Sequence, residues 1–218
     1  IGKEVARRLG SVPDLTTIIG ARDASLGSSA VDDLRSDGCD VIFCQVDLDD
    51  EESIRDAAKF IRRQFGKLDV LVNNAAVCFN DPTLYGKVSH TPFVEQASIT
   101  MKTNFFGTLA VTQSMMPLLL ESPSPRIVNV ASAAGRLSIL GSPELVEAFT
   151  SDKLSVPELE ELMNSFVSDV ENGIHSQRGW PSTCYGVSKL GIIALTRVLA
   201  RKYPQMMVNS VDPGYCKT

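Results

Sequence analysis

The 218-residue sequence lacks the features that mark several functional classes. It has only two histidines, His90 and His175. Its five cysteines (Cys39, Cys44, Cys78, Cys184 and Cys216) form neither a C-x-x-C pair nor any other metal-ligand spacing. A metal site or a disulfide framework is therefore not expected. The odd cysteine count points to reduced thiols packed as small hydrophobes. Neither histidine falls at the end of an expected strand, so neither is expected to act as a catalytic base. Positive charge is not in excess: 21 Lys and Arg stand against 26 Asp and Glu, a net charge of −5. That balance lacks the basic stripe of a nucleic-acid binder. The longest apolar runs fall far short of the ~18 residues a membrane span requires. No signal-peptide pattern precedes the first expected helix, and no internal repeat or low-complexity tract is visible. The expectation is a cytoplasmic protein with neither membrane nor nucleic-acid partners.

What the sequence does have is alternation. Hydrophobic residues make up 44% and charged residues 22%, ordinary values for a soluble α/β domain that buries a substantial core. Residues 1–10 read as a helix and residues 14–20 as a short buried strand. A helix over 23–37 ends at Gly38, and a strand follows over 41–46. Residues 53–65 form an amphipathic helix with Ile54, Ala57, Ala58, Ile61 and Phe65 on one side and Gly66 as its stop. Further strands are expected over 70–74, 126–132 and 208–211. A loop is expected over 78–92, a long helix over 93–120, and another helix opening near Tyr185.

Short, continuously apolar strands alternating with helices are those of a parallel sheet covered on both faces, a doubly wound, Rossmann-like arrangement. Its ligand crevice lies at the carboxyl ends of the strands. Arg22, Asp47, Asn74, Ser132 and the pair Pro213-Gly214 all fall there. The stretch of about 141–180 breaks the rhythm. Ser155 and Glu158 form a capping box with Pro157 early in the helix. Leu159, Leu162, Met163, Phe166, Val167 and Val170 make an apolar stripe opposite an acidic face. This reads as a helical insertion on the surface, its acidic face solvated.

Tyr185 and Lys189 stand four residues apart near the start of a helix, so their side chains share a face. A phenol beside an ammonium gives up its proton more readily, which suits proton transfer to a carbonyl oxygen. Alone, the pair also fits a solvated lysine next to a half-buried tyrosine. Other motifs stand around it in order. Ile1-Gly2 matches the end of a T-G-x-x-x-G-I-G turn, Asn73-Asn74-Ala75-Ala76 matches N-N-A-G with Ala76 for the last glycine, and Lys102-Thr103-Asn104 supplies a helix asparagine. Asn129-Val130-Ala131-Ser132 ends a strand, and Pro213-Gly214 follows the last one.

Over its whole length the chain resembles the short-chain dehydrogenase/reductase family. The 53 residues from Ser132 to Tyr185 and the stretch Met101-Lys102-Thr103-Asn104-Phe105-Phe106-Gly107 resemble its carbonyl reductase branch. Against that family the first strand, with the opening glycines of the phosphate turn, and the last strand, with a substrate lid, are missing. The expectation is a single dinucleotide-binding reductase domain over 1–218, incomplete at both ends.

The resemblance implies a function and a site. Tyr185 would donate a proton to a ketone, aldehyde or quinone oxygen. Lys189 would lower the tyrosine pKa and hold the nicotinamide ribose. Ser132 would hydrogen-bond the substrate oxygen, and Asn104 would hold a proton-relay water. Gly2, Asp47, Leu48, Asn74, Ala75, Ala76, Pro213, Gly214, Cys216, Lys217 and Thr218 would contact the cofactor along with Tyr185 and Lys189, Asp47 and Leu48 flanking the adenine. Twenty residues past the glycine turn, the position that reads the ribose 2′ group is Arg22, with Asp23 as the competing candidate. An arginine there suits a 2′-phosphate, hence NADPH. The insertion would cover a surface that other family members use to form tetramers, which implies a monomer. Two other readings stand beside this one: a truncated, non-catalytic product acting as a binding module, and a specialised biosynthetic ketone reductase.

Overall fold

The computed structural model describes residues 1–79, 91–214 and 216. Among them are five strands, every pairing parallel, interleaved with helices. They fall into two compact units.

The first unit holds Ile1–Asp69, Ala110–Pro123 and Cys216. It contains α1 (Gly2–Gly10), β1 (Thr17–Ala21), α2 (Ala24–Ser36), β2 (Val41–Gln45) and α3 (Glu51–Phe65). β1 and β2 run in register from Thr17↔Val41 to Ala21↔Gln45. Ala6, Val31, Leu34, Cys39 and Val41 make the core under them, with Ile19 and Phe43 packed against it. β1 opens three residues later than residue 14, because Asp14 takes a left-handed turn at φ 61°. α3 opens earlier than residue 53: Asp50 caps it, accepting from the Glu52 N–H. The Ser53 hydroxyl instead accepts from the main-chain N–H of Asp47 at 3.0 Å. Gly66, at φ 72°, closes α3 in the left-handed conformation that favours glycine.

The second unit holds the described residues of Val70–Leu109 and those from Ser124 through Gly214. Its sheet runs in the order β3-β4-β5, with β3 at Val70–Asn73, β4 at Arg126–Val130 and β5 at Met207–Val211. The long helix expected over 93–120 is present but not uniform. α4 (Phe93–Thr100) gives way to a π-helical segment, Met101–Gly107, before α5 (Thr108–Leu119), most of which belongs to the first unit. β4 stops at Val130, and Ser132 instead opens a 3₁₀ turn, Ala133–Gly135. A second such turn spans Leu137–Ile139.

The insertion is two helices rather than one: α6 (Pro143–Thr150) and α7 (Val156–Glu171). The Ser155–Glu158 capping box opens α7 as expected. Trp180 packs edge-on against Phe149 and Phe166, and its indole N–H donates to Asp169 Oδ2 at 3.0 Å. Phe149, Phe166, Leu159 and Met163 are fully buried, each contributing roughly 1.5–3 kcal/mol of apolar burial. α8 (Cys184–Lys202) carries buried residues on all sides, the pattern of a central helix. Arg197 donates to the carbonyls of Phe149 and Thr150, and Arg201 to that of Leu154. Arg197 thereby satisfies carbonyls that the end of α6 leaves open, and Arg201 one in the connection to α7.

Candidate active site

The site is assembled where β4 ends against α8. Ser132 is extended, and its Oγ accepts from the Ala134 N–H at 3.2 Å, which starts the 3₁₀ turn. That turn lies directly on the first turns of α8. A Cβ at Gly135 would fall 2.5 Å from the Lys189 carbonyl carbon and the Leu190 nitrogen. A Cβ at Gly186 would fall 2.9 Å from the Ala134 oxygen. Backbone therefore meets backbone at two glycines, and the strand end carrying Ser132 is held against the turns carrying Tyr185 and Lys189. Thr183 caps α8, accepting from the Gly186 N–H at 3.0 Å.

The Lys189 ammonium lies 5.5 Å from the centre of the half-buried Tyr185 ring. Lys189 itself is only 4% exposed. Its Nζ donates to the Val130 carbonyl at 2.7 Å. Burial pulls its pKa from 10.5 down to about 8, because the charged form loses its hydration; the charge at Cys78 pushes the other way.

Asn104 sits inside the π segment and is buried. Its Oδ1 accepts from the Val77 N–H at 2.7 Å. Its Nδ2 donates to the Val77 carbonyl at 2.9 Å and to Ser188 Oγ at 3.0 Å. Three of the amide's four hydrogen-bonding positions are thus filled, with one Oδ1 lone pair left over. Ser188 in turn donates to the Tyr185 carbonyl at 2.8 Å. Asn104 therefore ties the chain leaving β3 to the turn that carries Tyr185. Between Asn73 and Val77, Asn74 is half-buried and Ala75 and Ala76 are exposed.

Several residues of the site escaped the sequence reading. Gly135 and Gly186 are one case and Ser188 another. A hydrogen-bonded run also links β3, β4 and α8: Asn73 Nδ2 donates to Asn129 Oδ1 at 2.8 Å, and Asn129 Nδ2 to Thr196 Oγ1 at 2.8 Å. The available signal was an asparagine inside the apolar strand Arg126-Ile127-Val128-Asn129-Val130, since a buried amide needs partners.

The remaining predicted residues lie as follows. In the first unit, Gly2 begins α1, and Arg22 follows β1 with its side chain exposed and its carbonyl accepting from Gln45 Nε2. Asp23, the competing candidate, spends its carboxylate on the Leu26 N–H at 2.8 Å as the cap of α2. Asp47 follows β2 and accepts from the Asp49 N–H at 3.0 Å; Leu48 is half-buried. Cys216 is exposed. In the second unit, Pro213 and Gly214 follow β5, Gly214 at φ 66° with its N–H on Asp212 Oδ1. His175 packs its ring on Phe93 and pairs with Ser182 Oγ at 3.1 Å. Lys217, Thr218, His90 and most of the 78–92 loop lie outside the described residues. Among the described residues no helix is long and apolar enough to cross a membrane.

The chain is similar to known proteins. The family described as "short chain dehydrogenase" matches residues 1–151. Carbonyl reductase [NADPH] 1 of Homo sapiens is 40% identical over 227 residues, spanning all of this chain and 78% of that protein. Carbonyl reductase [NADPH] 3 of Mus musculus is 40% identical over 210 residues, 92% of this chain and 72% of that one. The structure of salutaridine reductase from Papaver somniferum superposes with a TM-score of 0.85 at 33% identity, covering 97% of this chain and 81% of that chain. Menthone neomenthol reductase from Mentha piperita gives 0.82 at 30% identity, covering 97% and 83%.

Proposed function

The chain belongs to the short-chain dehydrogenase family, and from that premise we propose that it reduces ketones, aldehydes or quinones to alcohols with NADPH. The observation that carries this reading is the buried Lys189 ammonium, 5.5 Å from the Tyr185 ring on a helix packed against the Ser132 turn.

The cofactor, when bound, supplies the hydride to the carbonyl carbon. The substrate oxygen then gathers negative charge and needs a proton and a hydrogen-bond donor. Tyr185 Oη gives the proton. Ser132 Oγ already accepts from Ala134, which leaves its O–H to donate to the substrate oxygen. Lys189 favours the phenolate left on Tyr185, and with a pKa of about 8 it still carries its charge at neutral pH. Asn104 holds Val77 and Ser188 in place. With its side-chain amide so committed, its relay water falls to the last Oδ1 lone pair or to its main-chain carbonyl.

Support for the dinucleotide comes from the residues that follow β1. Arg22 offers an exposed guanidinium after β1, while the carboxylate beside it is spent on a helix cap. That donor set suits a 2′-phosphate. Gly2, Asp47, Leu48, Asn74, Ala75, Ala76, Tyr185, Lys189, Pro213, Gly214, Cys216, Lys217 and Thr218 are the other proposed contacts. The names of the carbonyl reductases support the same choice. A cytoplasmic monomer completes the proposal. Support for the monomer is the α6–α7 insertion, which Arg197 and Arg201 fasten to α8.

A second reading is a biosynthetic ketone reductase of the same branch, favoured by the likeness to salutaridine reductase and menthone neomenthol reductase. Profiling simple quinones against alkaloid and terpenoid ketones separates the two. The test of the chemistry is Tyr185→Phe, which abolishes reduction while NADPH binding persists. Full activity in that variant ends the assignment. A wild-type chain that binds NADPH yet reduces no carbonyl would instead favour the non-catalytic binding module.

A further inference from the structure

Building on the reductase reading, we infer that Asn129 and Thr196 are positioning residues, setting the axial register of α8 on β4 so that Tyr185 and Lys189 face Ser132. Asn129 lies within β4 and is 1% exposed; Thr196, on α8, is 5% exposed. Asn129 Oδ1 accepts from Asn73, its in-register neighbour on β3, and this bond orients the amide. Its Nδ2 then donates to Thr196 Oγ1, whose own hydrogen goes to the Ile192 carbonyl at 2.8 Å. Each hydrogen bond in that run has a defined direction, and Asn129 and Thr196 are both buried.

The next strand residue, Val130, takes the ammonium of Lys189 on its carbonyl. Two consecutive strand residues therefore hold α8 at positions 189 and 196, two helical turns apart, roughly 10.5 Å along the axis. The two ties are not equivalent. The lysine side chain has a flexible four-carbon stem, so its bond tolerates a shift of the helix. Asn129 and Thr196 are short. A slide of one residue, about 1.5 Å with a turn of about 100°, would leave a buried amide and a buried hydroxyl without partners. The short pair sets the register, and the long lysine follows it.

The test compares Thr196→Val, which keeps the shape and removes the hydroxyl, with Thr196→Ser, which keeps the hydroxyl. Menadione reduction with NADPH gives kcat, KM and their pH profiles, and titration gives the NADPH Kd. The Lys189 titration is followed by its side-chain ammonium NMR signal. Thr196→Val is expected to lower kcat about tenfold to a hundredfold, as a small misplacement of reacting groups does. The menadione KM and NADPH Kd should stay within about twofold, and the Lys189 titration should move. Thr196→Ser should restore all of them. Unchanged kcat, pH profile and lysine titration in Thr196→Val, with only a lower melting temperature, overturns the inference. Should Thr196→Val fail to fold, Asn129→Leu/Thr196→Val replaces both partners with apolar groups, and the same losses are expected of it. If the wild type reduces no carbonyl, the reductase reading fails. The Lys189 titration then decides the inference alone: a shift in Thr196→Val reversed by Thr196→Ser supports it, and no shift sinks it.

Discussion

The ammonium of Lys189 and the carbonyl of Val130 meet at 2.7 Å in a place that water scarcely reaches. Among the described residues no carboxylate forms an ion pair with this lysine. A cation is thus kept dry on a neutral acceptor and an electrostatic contribution from Cys78, an arrangement that burdens the fold and that the proposed site would use.

That burden has a sign that can be measured. The folded-state pKa of about 8 lies below the ordinary 10.5, so between these values the unfolded chain binds more protons. Stability therefore rises with pH across that window, and below it the cost is fully present. Lys189→Met is expected to be more stable than the wild type at pH 7, by up to about 3 kcal/mol less the lost Val130 bond, while reducing no carbonyl. The difference should close as pH climbs from 8 to 10.5. Urea unfolding of both proteins at pH 7 and pH 10 checks this; a variant less stable at pH 7 contradicts it.

Arg22 and Asp23 are neighbours with separate tasks. Asp23→Ala removes the cap of α2 and should cost about 1 kcal/mol of stability with the NADPH-over-NADH preference unchanged. Arg22→Ala should weaken NADPH binding about tenfold and leave NADH alone, as expected for a lost charge-assisted contact. Calorimetric titration with both nucleotides decides. A preference that follows Asp23 instead would place the 2′ group on the carboxylate.

Residues whose chemistry is local were legible in the sequence; those defined by contact were not. The Ser155–Glu158 capping box, the Gly66 stop and the alternation of parallel strands follow from local pattern, and each is present. Tyr185 and Lys189 stand on one helix, so their four-residue spacing is enough to make them neighbours. Gly135 and Gly186 looked like any other glycines, because what requires them is a second backbone far along the chain. The π segment was equally hidden: Met101–Gly107 has the apolar content of an α-helix, and its altered pitch leaves no mark in composition. The start of α3 was misplaced by taking Ser53 as its first residue, when the nearby Asp50 holds the cap and Ser53 serves Asp47.

The two glycines carry a prediction of their own. Gly135→Ala drives a methyl against the main chain of α8, where nothing flexible can yield, and Gly186→Ala drives one against the Ala134 carbonyl. Each should cost about 1–3 kcal/mol, the range for overpacking. Gly135→Ala should be the more severe, its contacts being closer. Melting temperature and kcat, measured together, should fall in both. An active Gly135→Ala protein would show that the turn need not lie against α8.

Thiol chemistry should divide the cysteines. Burial pushes the Cys184 thiol up to about 12 and raises that of Cys44, which leaves little thiolate on either. Cys216 is exposed. Iodoacetamide at pH 8 should alkylate Cys216 in the native protein and reach Cys184 and Cys44 only after unfolding. Mass spectrometry of the digest reads the order directly, and early alkylation of Cys184 would mean that α8 opens at its first turn.

The π-helical segment records the number of residues between the two helices it joins. A π turn is what an α-helix becomes when it must take in one residue more than its pitch allows. Deleting a single residue from Met101–Gly107 would let α4 and α5 fuse into an ordinary helix. It would also swing Asn104 by about 100° relative to the turns beyond it, away from Val77 and Ser188. The stretch must therefore keep its length as well as its asparagine, and a homologue one residue shorter here would have to hold its β3 loop by other means.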